Sequence, residues 1–266
     1  MNTIVGTHDL ALITLDTLRY DVAVEELAAG RTPNFARLLP AGWEQRHSPG
    51  TFTYAAHAAF FAGFLPTPAH PGRHARAFAL GFEGSETIAP TTCVLEGATI
   101  VEGLAARGYH TLCIGGTGFF NLANPLGRAL PGLFTERHWD PTLGVTDPCS
   151  FEHQIDRVEA SLAEVPVTRR AFTFVNVSAL HQPNHGYLEG GPARDTRASH
   201  AAALRYVDAH LPRLIAVLAR RGPLFAIACS DHGTLYGEDG YVGHRIAHPI
   251  VTTVPYGEMI VGASPP

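Results

Sequence analysis

The chain has 266 residues, of which 45% are hydrophobic and 16% charged, so we expect a single globular domain over residues 1–266 with a substantial core. Its formal net charge of −5 argues against the basic surface with which proteins bind nucleic acid or anionic lipid. No apolar stretch approaches the roughly 20 residues that span a bilayer, so neither nucleic acid nor a membrane is a predicted partner.

The N-terminus and the cysteines predict a cytoplasmic protein. Residues 1–16 lack a basic segment followed by an apolar one, which is the pattern of a secretory signal. The four cysteines are widely spaced, and Cys113 and Cys229 lie in apolar runs where cysteine usually packs as a small hydrophobe. A reduced, cytoplasmic compartment is therefore the expectation.

The predicted elements of the N-terminal half alternate between strand and helix. Residues 11–15 (ALITL) form a short apolar run typical of a buried parallel strand. A Thr-Pro pair opens a helix over residues 32–39, and residues 55–63 predict a second helix that closes at a glycine. Residues 66–90 are rich in glycine, proline and histidine and predict a long surface loop. Residues 99–116 then predict a helix, a glycine C-cap and a strand.

The C-terminal half repeats this alternation and sets the fold class. Residues 171–180 (AFTFVNVSAL) and 224–231 (LFAIACSD) predict buried strands. Between them, residues 195–222 predict the longest helix, with one apolar stripe along it. Strands that alternate with helices predict an α/β fold, a three-layer α/β/α sandwich around a mainly parallel central sheet.

Polar residues follow several of these strands, at the point where each strand ends. Asp16 follows the first strand, His181 and His185 follow the strand at residues 171–180, and Asp231-His232 end a late one. In an open parallel sheet the carboxyl ends of the strands meet at one edge, where ligands bind. Taken alone, Asp16 is equally well explained as a cap or turn residue. The adjacent carboxylate and imidazole of Asp231 and His232 favour a metal site.

Histidine is unusually abundant, with 15 residues in the chain. A single histidine in a loop is more often a solvated side chain than a ligand. Several of them together offer nitrogen ligands for a second cation, and those that follow the predicted strands are His181, His185, His244 and His248.

Hydroxyl side chains stand directly before the helix at residues 55–63. Thr51 and Thr53 have an ordinary interpretation as helix N-caps. The same position also suits an anion, because free N–H groups and the helix dipole favour phosphate there. A metal-bound hydroxyl at this point would be an activated nucleophile.

Three separated motifs resemble the alkaline phosphatase superfamily, in particular its sulfatase-like and phosphodiesterase-like branches. They are LITLDTLRYDV (residues 12–22), TFTYAAHAAFFAGFLP (51–66) and SDHGTLYGEDGYVGH (230–244), and they occur in the order found in that family. The spacing from the third motif to His244 is similar to that in phosphoethanolamine transferases. VSALHQPNHGY (177–187) resembles the H-x-P segment that lies near the substrate in the family.

The resemblance implies an alkaline phosphatase-like fold and a metal-dependent hydrolase or transferase acting on a phosphate mono- or diester. It places Thr53 as the nucleophile, His57 four residues later, and Gly63 and Pro66 at the end of the motif. The implied ligands of the first cation are Asp16, Thr53, Asp231 and His232. The implied second group, which binds another cation or contacts the phosphoryl oxygens and protonates the leaving group, is His181, His185 and His244, with His248 less favoured.

The implied cofactor is one or two divalent cations, with Zn²⁺ favoured and Mn²⁺, Mg²⁺ or Ca²⁺ as alternatives. The implied substrate is a small-molecule or peptide-linked phosphate ester, and nothing in the sequence predicts an oligomeric state. An arginine at the start of a helix, Arg19, either faces the substrate or, as we favour, is solvated.

The chain departs from the family pattern at several positions. Thr17 stands where sulfatases have a second aspartate, and Thr53 stands where they have a modified cysteine, so sulfate-ester hydrolysis is disfavoured. Ala55 and Ala56 replace residues that contact the substrate oxyanion. The chain is also shorter than most relatives, with a reduced C-terminal part. These departures leave one alternative, a degenerate member that binds a phosphorylated ligand without turning it over.

Overall fold

Seven strands form a central sheet in the computed structural model, which describes residues 3–63 and 98–262 and, between them, only the backbone of two short strands. The described residues contain eleven strands, seven of them in this sheet: β1 (Asp9–Leu15), β2 (Glu44–His47), β3 (Arg76–Phe78), β4 (Thr92–Val94), β5 (His110–Ile114), β6 (Glu136–His138), β7 (Ala171–Val177), β8 (Leu224–Cys229), β9 (Leu235–Tyr236), β10 (Val242–Gly243) and β11 (Thr253–Val261). The helices are α1 (Tyr20–Ala28), α2 (Pro33–Leu38), α3 (Thr53–Ala62), α4 (Ile100–Ala106), α5 (Pro125–Ala129), α6 (Ser150–Ala163), α7 (Arg197–Ala219) and α8 (Pro249–Thr252).

The sheet has the strand order β2-β11-β8-β1-β7-β5-β6. The five strands from β8 to β6 are parallel, whereas β11 runs antiparallel to β8 and β2 antiparallel to β11. β9 with β10, and β3 with β4, form two small separate sheets. The prediction of a mainly parallel sheet is thus confirmed, with an antiparallel edge that the sequence pattern did not reveal.

Alternate side chains of the central strands enter two hydrophobic clusters, one on each face of the sheet. In β1, Ile13 and Leu15 belong to the first cluster and Leu10 to the second. In β7, Val175 belongs to the first and Phe174 to the second. Because successive side chains of a strand point to opposite faces, both faces of the sheet are covered, which explains why these strands appear as continuous apolar runs.

Helices cover both faces, so the molecule has the predicted three layers. The first cluster includes buried side chains of α1, α2, α6 and α7, among them Leu204 and Leu211 of the long helix. The second includes Phe61 of α3 and Leu104 of α4. None of the helices in the described ranges is both long and apolar enough to cross a membrane. The loop predicted at residues 66–90, including Pro66, lies outside the described residues apart from the backbone of β3.

The register of the central strands positions the candidate site. Leu15 of β1 pairs with Val177 of β7, and Thr14 pairs with Cys229 of β8. The residues that follow these three strands therefore lie at the same edge of the sheet, at its carboxyl end. Asp16 and the pair Asp231-His232 stand at that edge, as the sequence predicted.

Candidate metal centre and active site

Asp16, Asp231 and His232 bring one ligand atom each to a common point. These three atoms all lie within 4.8 Å of one another, and all three residues are fully buried. Two carboxylates and an imidazole at this spacing form a potential binding site for a divalent cation.

Each of the three side chains forms hydrogen bonds with supporting groups through one of its atoms. A second atom of each side chain remains to contact a cation. Asp16 accepts a hydrogen bond at Oδ2 from Asn176 Nδ2 (2.9 Å), and its Oδ1 has no partner among the described residues. Asp231 accepts at Oδ1 from the backbone N–H of Thr17 (3.2 Å) and of His232 (3.0 Å), and its Oδ2 likewise has no hydrogen-bond partner there. His232 donates from Nδ1 to the carbonyl oxygen of Gly233 (2.9 Å). A buried oxygen without a partner is costly, so Asp16 Oδ1 and Asp231 Oδ2, together with the neighbouring nitrogen His232 Nε2, fit a cation.

Burial shifts the pKa values of all three side chains away from their ordinary values. Burial, and secondly the charge of Asp231, raise the pKa of Asp16 to about 6. Burial also raises the pKa of Asp231 to about 7, and it lowers the pKa of His232. Burial disfavours the charged form of each group, so both carboxylates resist ionisation and the imidazole stays neutral.

The donor set discriminates between metals. Carboxylate, imidazole and hydroxyl ligands suit Zn²⁺, which binds nitrogen and oxygen ligands in tetrahedral sites, and they also suit Mn²⁺. Mg²⁺ and Ca²⁺ prefer ligand sets made only of oxygen, so His232 disfavours both. The imidazole Nδ1 bond to Gly233 fixes the tautomer that presents Nε2, as is usual for metal-binding histidines.

Thr53 is the first residue of α3, and its hydroxyl lies beside the three ligand atoms. Its Oγ1 is 3.4 Å from Asp16 Oδ2 and 3.4 Å from His232 Nε2. The N-cap of α3 is Phe52, and no side chain caps the helix. The ordinary interpretation of Thr53 as a helix cap is therefore wrong, and its hydroxyl is available to the site.

His57 lies beneath Thr53 and away from the cleft. It is fully buried and contacts the rings of Phe60, Phe61, Phe120 and Phe174. Burial lowers its pKa to about 3, so the imidazole is neutral, and its Nδ1 donates to the carbonyl oxygen of Thr53 (2.8 Å). His57 thus contacts the backbone of Thr53 and does not line the cleft, and the catalytic role implied for it by the resemblance stays a prediction.

His181 and His244 form the open side of the site. With Thr53 they line a cleft of about 550 Å³. The His244 ring lies 4.6 Å from the ring of His232 and 5.5 Å from that of His181, measured between centroids. Burial, followed by the charges of His232 and His181, lowers the pKa of His244 to about 3. His181 donates from Nδ1 to the carbonyl oxygen of Gln182 (2.5 Å), which leaves its Nε2 for the cleft.

The other two candidate histidines have partners elsewhere. Nδ1 of His185 lies 3.3 Å from Asp195 Oδ1, and 43% of the His185 side chain is exposed. His248 is the N-cap of α8, where its Nδ1 accepts from the N–H of Ile250, and its Nε2 lies 3.0 Å from Asp239 Oδ2. The structure therefore does not bring His185 or His248 into the cluster.

Arg19 differs from the solvated side chain that the sequence favoured. It is 3% exposed and forms ion pairs with Asp21 (2.7 Å) and Glu238 (2.5 Å). Its N–H donates to Nε2 of His200 (3.4 Å), and the Tyr236 hydroxyl lies 2.9 Å from Nδ1 of the same imidazole. Arg19 thus links the start of α1 and α7 to the third motif.

Two residues, Thr17 and Asn176, support the site in ways that the sequence did not predict. Thr17 is buried with a left-handed backbone (φ 65°), rare for a β-branched residue, and this conformation accompanies the hydrogen bond from its N–H to Asp231. Asn176 donates to Asp16 and accepts at its amide oxygen from the N–H of Thr117 (2.9 Å). A polar residue near the end of an otherwise apolar strand was the only signal for Asn176.

Gly233 meets a steric requirement at the same loop. A Cβ atom there would lie 2.1 Å from the carbonyl oxygen of Ile250, and the Gly233 N–H donates to Val251 (2.7 Å). The glycine of the Ser-Asp-His-Gly motif therefore allows the loop that carries Asp231 and His232 to pack directly against α8.

Comparison with known proteins gives structural matches only. No family model and no curated protein matches the sequence. The C-terminal periplasmic domain of a phosphoethanolamine transferase from Campylobacter jejuni matches with a TM-score of 0.63 and 14% identity, over 96% of this chain and 80% of that one. The C-terminal periplasmic domain of EcEptC from Escherichia coli, in complex with Zn, matches with a TM-score of 0.60 and 11% identity, over 96% and 73%.

The prediction of a cytoplasmic protein is contradicted by this comparison, since both of these matching domains are periplasmic. The physical basis of that prediction was weak, because a buried cysteine such as Cys113 packs as an apolar residue in any compartment.

A third match names the superfamily. A protein of the alkaline phosphatase superfamily from Vibrio parahaemolyticus aligns with a TM-score of 0.56 and 18% identity, over 98% of this chain and 62% of that one. At these identities the matches establish the fold, and that fold agrees with the order of the three sequence motifs. The chain has the fold of the alkaline phosphatase superfamily.

Proposed function

We propose that the chain is a metal-dependent enzyme that hydrolyses or transfers a phosphate mono- or diester, with Thr53 as the nucleophile. The position of the Thr53 hydroxyl carries this proposal. It stands at the N-terminus of a ten-residue helix and lies 3.4 Å from both Asp16 Oδ2 and His232 Nε2. A helix N-terminus favours the binding of phosphate, and the adjacent carboxylates favour a cation.

In this proposal three residues bind the cation and Thr53 attacks the phosphorus. Asp16, Asp231 and His232 would hold the cation, with Zn²⁺ favoured by the donor set. A cation bound there lowers the pKa of an adjacent hydroxyl and stabilises negative charge on a phosphoryl group. Thr53 Oγ then forms a bond to phosphorus while the bond from phosphorus to the leaving oxygen breaks, and the product is a phosphothreonine. Water or an acceptor hydroxyl next attacks that phosphorus and releases Thr53.

His181 and His244 are placed to handle the protons of these steps. Both line the cleft beside Thr53. Nε2 of His181 is the free ring nitrogen, since Nδ1 is bonded to Gln182, so a proton carried at Nε2 reaches the leaving oxygen. His244, held neutral by its lowered pKa, suits a hydrogen bond or a ligand bond to a second cation.

The structural matches support the transfer branch of this proposal and an extracytoplasmic location. Phosphoethanolamine transferases and their periplasmic domains are named among them. Fractionation of cells that express the full chain tests the location, and recovery only with the cytosol would contradict it.

Two rival functions differ from this proposal at identifiable residues. A non-catalytic phosphate binder has no use for a hydroxyl aligned between Asp16 and His232. A sulfatase of the modified-cysteine type needs a cysteine where Thr53 stands. Both features of Thr53 therefore favour phosphoester chemistry.

The test compares Thr53→Ala with Thr53→Ser on aryl phosphate mono- and diesters in the presence of Zn²⁺ or Mn²⁺. We expect turnover by Thr53→Ala to fall roughly 10³-fold or more, because loss of a nucleophile removes the covalent step. Thr53→Ser keeps a hydroxyl and should retain measurable turnover. Undiminished turnover by Thr53→Ala would remove the proposed nucleophile, and ligand binding without turnover by the wild type would favour the non-catalytic binder.

A further inference from the structure

Arg245 lies at the cleft beside the nucleophile and was not singled out by the sequence. It lines the cleft together with Thr53, His181 and His244. Its guanidinium carbon lies 5.7 Å from the centroid of the Phe52 ring, at the residue that precedes Thr53. Arg245 is thus a cation next to the first residue of α3.

The backbone of Arg245 is tied to the segment that carries the nucleophile. Its N–H donates to the carbonyl oxygen of Thr51 (2.7 Å), and its φ of 70° lies in the left-handed region. A residue other than glycine adopts this conformation at a cost of order 1 kcal/mol or more, and such residues cluster at functional sites. The hydrogen bond to Thr51 holds the side chain beside Thr53 in spite of that cost.

The charge of Arg245 is uncompensated within the described residues. No carboxylate of residues 3–63 and 98–262 forms an ion pair with it, and its contact there is the face of Phe52. Arg19 provides the contrast, since it is buried between Asp21 and Glu238. An exposed arginine without an acidic partner, fixed at the wall of a cleft, is suited to bind an anion.

Two further features of the cleft point to an anion at the same place. The first turn of α3 presents N–H groups that have no partner within the helix, together with the positive end of its dipole. Thr117 also lines the cleft, is 4% exposed, and has a hydroxyl without a hydrogen-bond partner in the described part of the chain. A buried hydroxyl in this state indicates a polar group that is still to be bound.

We propose that Arg245 binds the non-bridging oxygens of the phosphoryl group above Thr53. This inference rests on the proposed function and assigns a side-chain contact that Ala55 and Ala56 of α3 do not supply, because their side chains carry no polar atoms. Arg245 supplies the missing contact from the loop between β10 and α8. Its planar guanidinium forms two parallel hydrogen bonds to a phosphate, which an ammonium group does not.

The experiment measures binding of inorganic phosphate by calorimetry to the full chain, once after treatment with a chelator and once loaded with Zn²⁺. The variants are Arg245→Gly and Arg245→Lys, and the matched control is Arg37→Ala, which removes an exposed arginine of α2. Glycine adopts the left-handed conformation without strain, so Arg245→Gly should melt at or above the temperature of the wild type.

We expect Arg245→Gly to bind phosphate about tenfold or more weakly, Arg245→Lys to be intermediate, and Arg37→Ala to be unchanged, since a charge-assisted hydrogen bond has that magnitude. Equal phosphate affinity in Arg245→Gly and wild type would overturn the proposal. Arg245 could then contact only the leaving group of the substrate and not its phosphoryl oxygens. Undetectable phosphate binding by the wild type would also overturn it. A wild type that binds phosphate through Arg245 but turns over no ester refutes the proposed catalysis alone.

Discussion

The two halves of the site differ in how they are built. The closed half, Asp16, Thr53, Asp231 and His232, is at most 1% exposed and lies at the ends of β1 and β8 and the start of α3. The open half, His181, His244 and Arg245, is partly exposed and lies in loops. Strand ends and a helix start hold these four candidate metal ligands in place, whereas loops can change what a cleft recognises without disturbing the sheet.

The closed half depends on close backbone packing, and breaking that packing has the largest expected effect on stability. In Gly233→Ala the new methyl group would lie 2.1 Å from the Ile250 carbonyl oxygen. Either the loop that carries Asp231 and His232 or α8 must therefore move. We expect a loss of about 3 kcal/mol in the free energy of unfolding, measured by denaturant titration of the metal-free protein. Gly132→Ala, where the added atom meets nothing within 4 Å, is the control. A Gly233→Ala variant as stable as Gly132→Ala would show that the loop is not tightly packed.

The orientation of Asp16 by Asn176 gives the next largest effect. Asn176→Ala removes the hydrogen bond that leaves Asp16 Oδ1 free, so we expect Zn²⁺ affinity to fall about 10- to 100-fold, which is typical for loss of such a supporting contact. Asn34→Ala is the matched control, because Asn34 donates in the same way to Asp208. Unchanged Zn²⁺ affinity in Asn176→Ala would assign Asp16 no role in metal binding.

The sequence predicted the members of both halves except Arg245, and it also missed the supporting residue Asn176. Asp16, Thr53, Asp231 and His232 were predicted because each stands at a strand end or helix start, where local patterns are informative. Asn176 was missed because its strand appears as uniform core and its partner lies 160 residues away. Arg245 was missed because its significance depends on a hydrogen bond to Thr51, which no local pattern encodes.

The sheet itself was predicted for the parallel strands and missed for the edge. β11 has an alternating burial pattern and contains a proline, so it lacks the continuous apolar run by which β1 and β8 were recognised.

His185 was included in the predicted site because its sequence position four residues after His181 suggested a shared role. In the structure Nδ1 of His185 lies 3.3 Å from Asp195 Oδ1, and His181 lines the cleft without His185.

A pH dependence outside both halves gives a smaller effect. Burial, with the charge of Arg19, lowers the pKa of His200 to about 3, whereas in the unfolded chain a histidine takes up a proton near pH 6.5. The unfolded state therefore gains protons that the folded state does not, and stability falls as the pH drops from about 6.5 toward 3. The contribution is about 1.4 kcal/mol per pH unit.

This dependence is measured by denaturant titrations between pH 7 and pH 4. His200→Gln should show a slope that is smaller by that amount than the wild-type slope, and His47→Gln, which replaces an exposed histidine of β2, should match the wild type. Equal slopes in His200→Gln and wild type would mean that His200 is protonated in the folded state.

The smallest expected effect is that of His185, which lies outside the open half. His185→Ala should change turnover of an aryl phosphate by less than about twofold, because its ring is paired with Asp195 outside the cluster. His181→Ala should lower turnover about 10²-fold, the usual contribution of a general acid or base. Equal losses in the two variants would place His185 in the site and revise the division between the halves.

The central claim is that Asp16 and Asp231, with His232, hold a divalent cation beside Thr53. Calorimetric Zn²⁺ titration of the metal-free wild type and of a double variant, Asp16→Asn with Asp231→Asn, tests it most directly. Uncharged amides in this buried site should leave the metal-free fold intact, because ionised carboxylates are costly there. We predict that the double variant binds one equivalent of Zn²⁺ fewer and loses the rise in melting temperature that Zn²⁺ gives the wild type. Identical stoichiometry and an identical rise in both proteins would contradict the account.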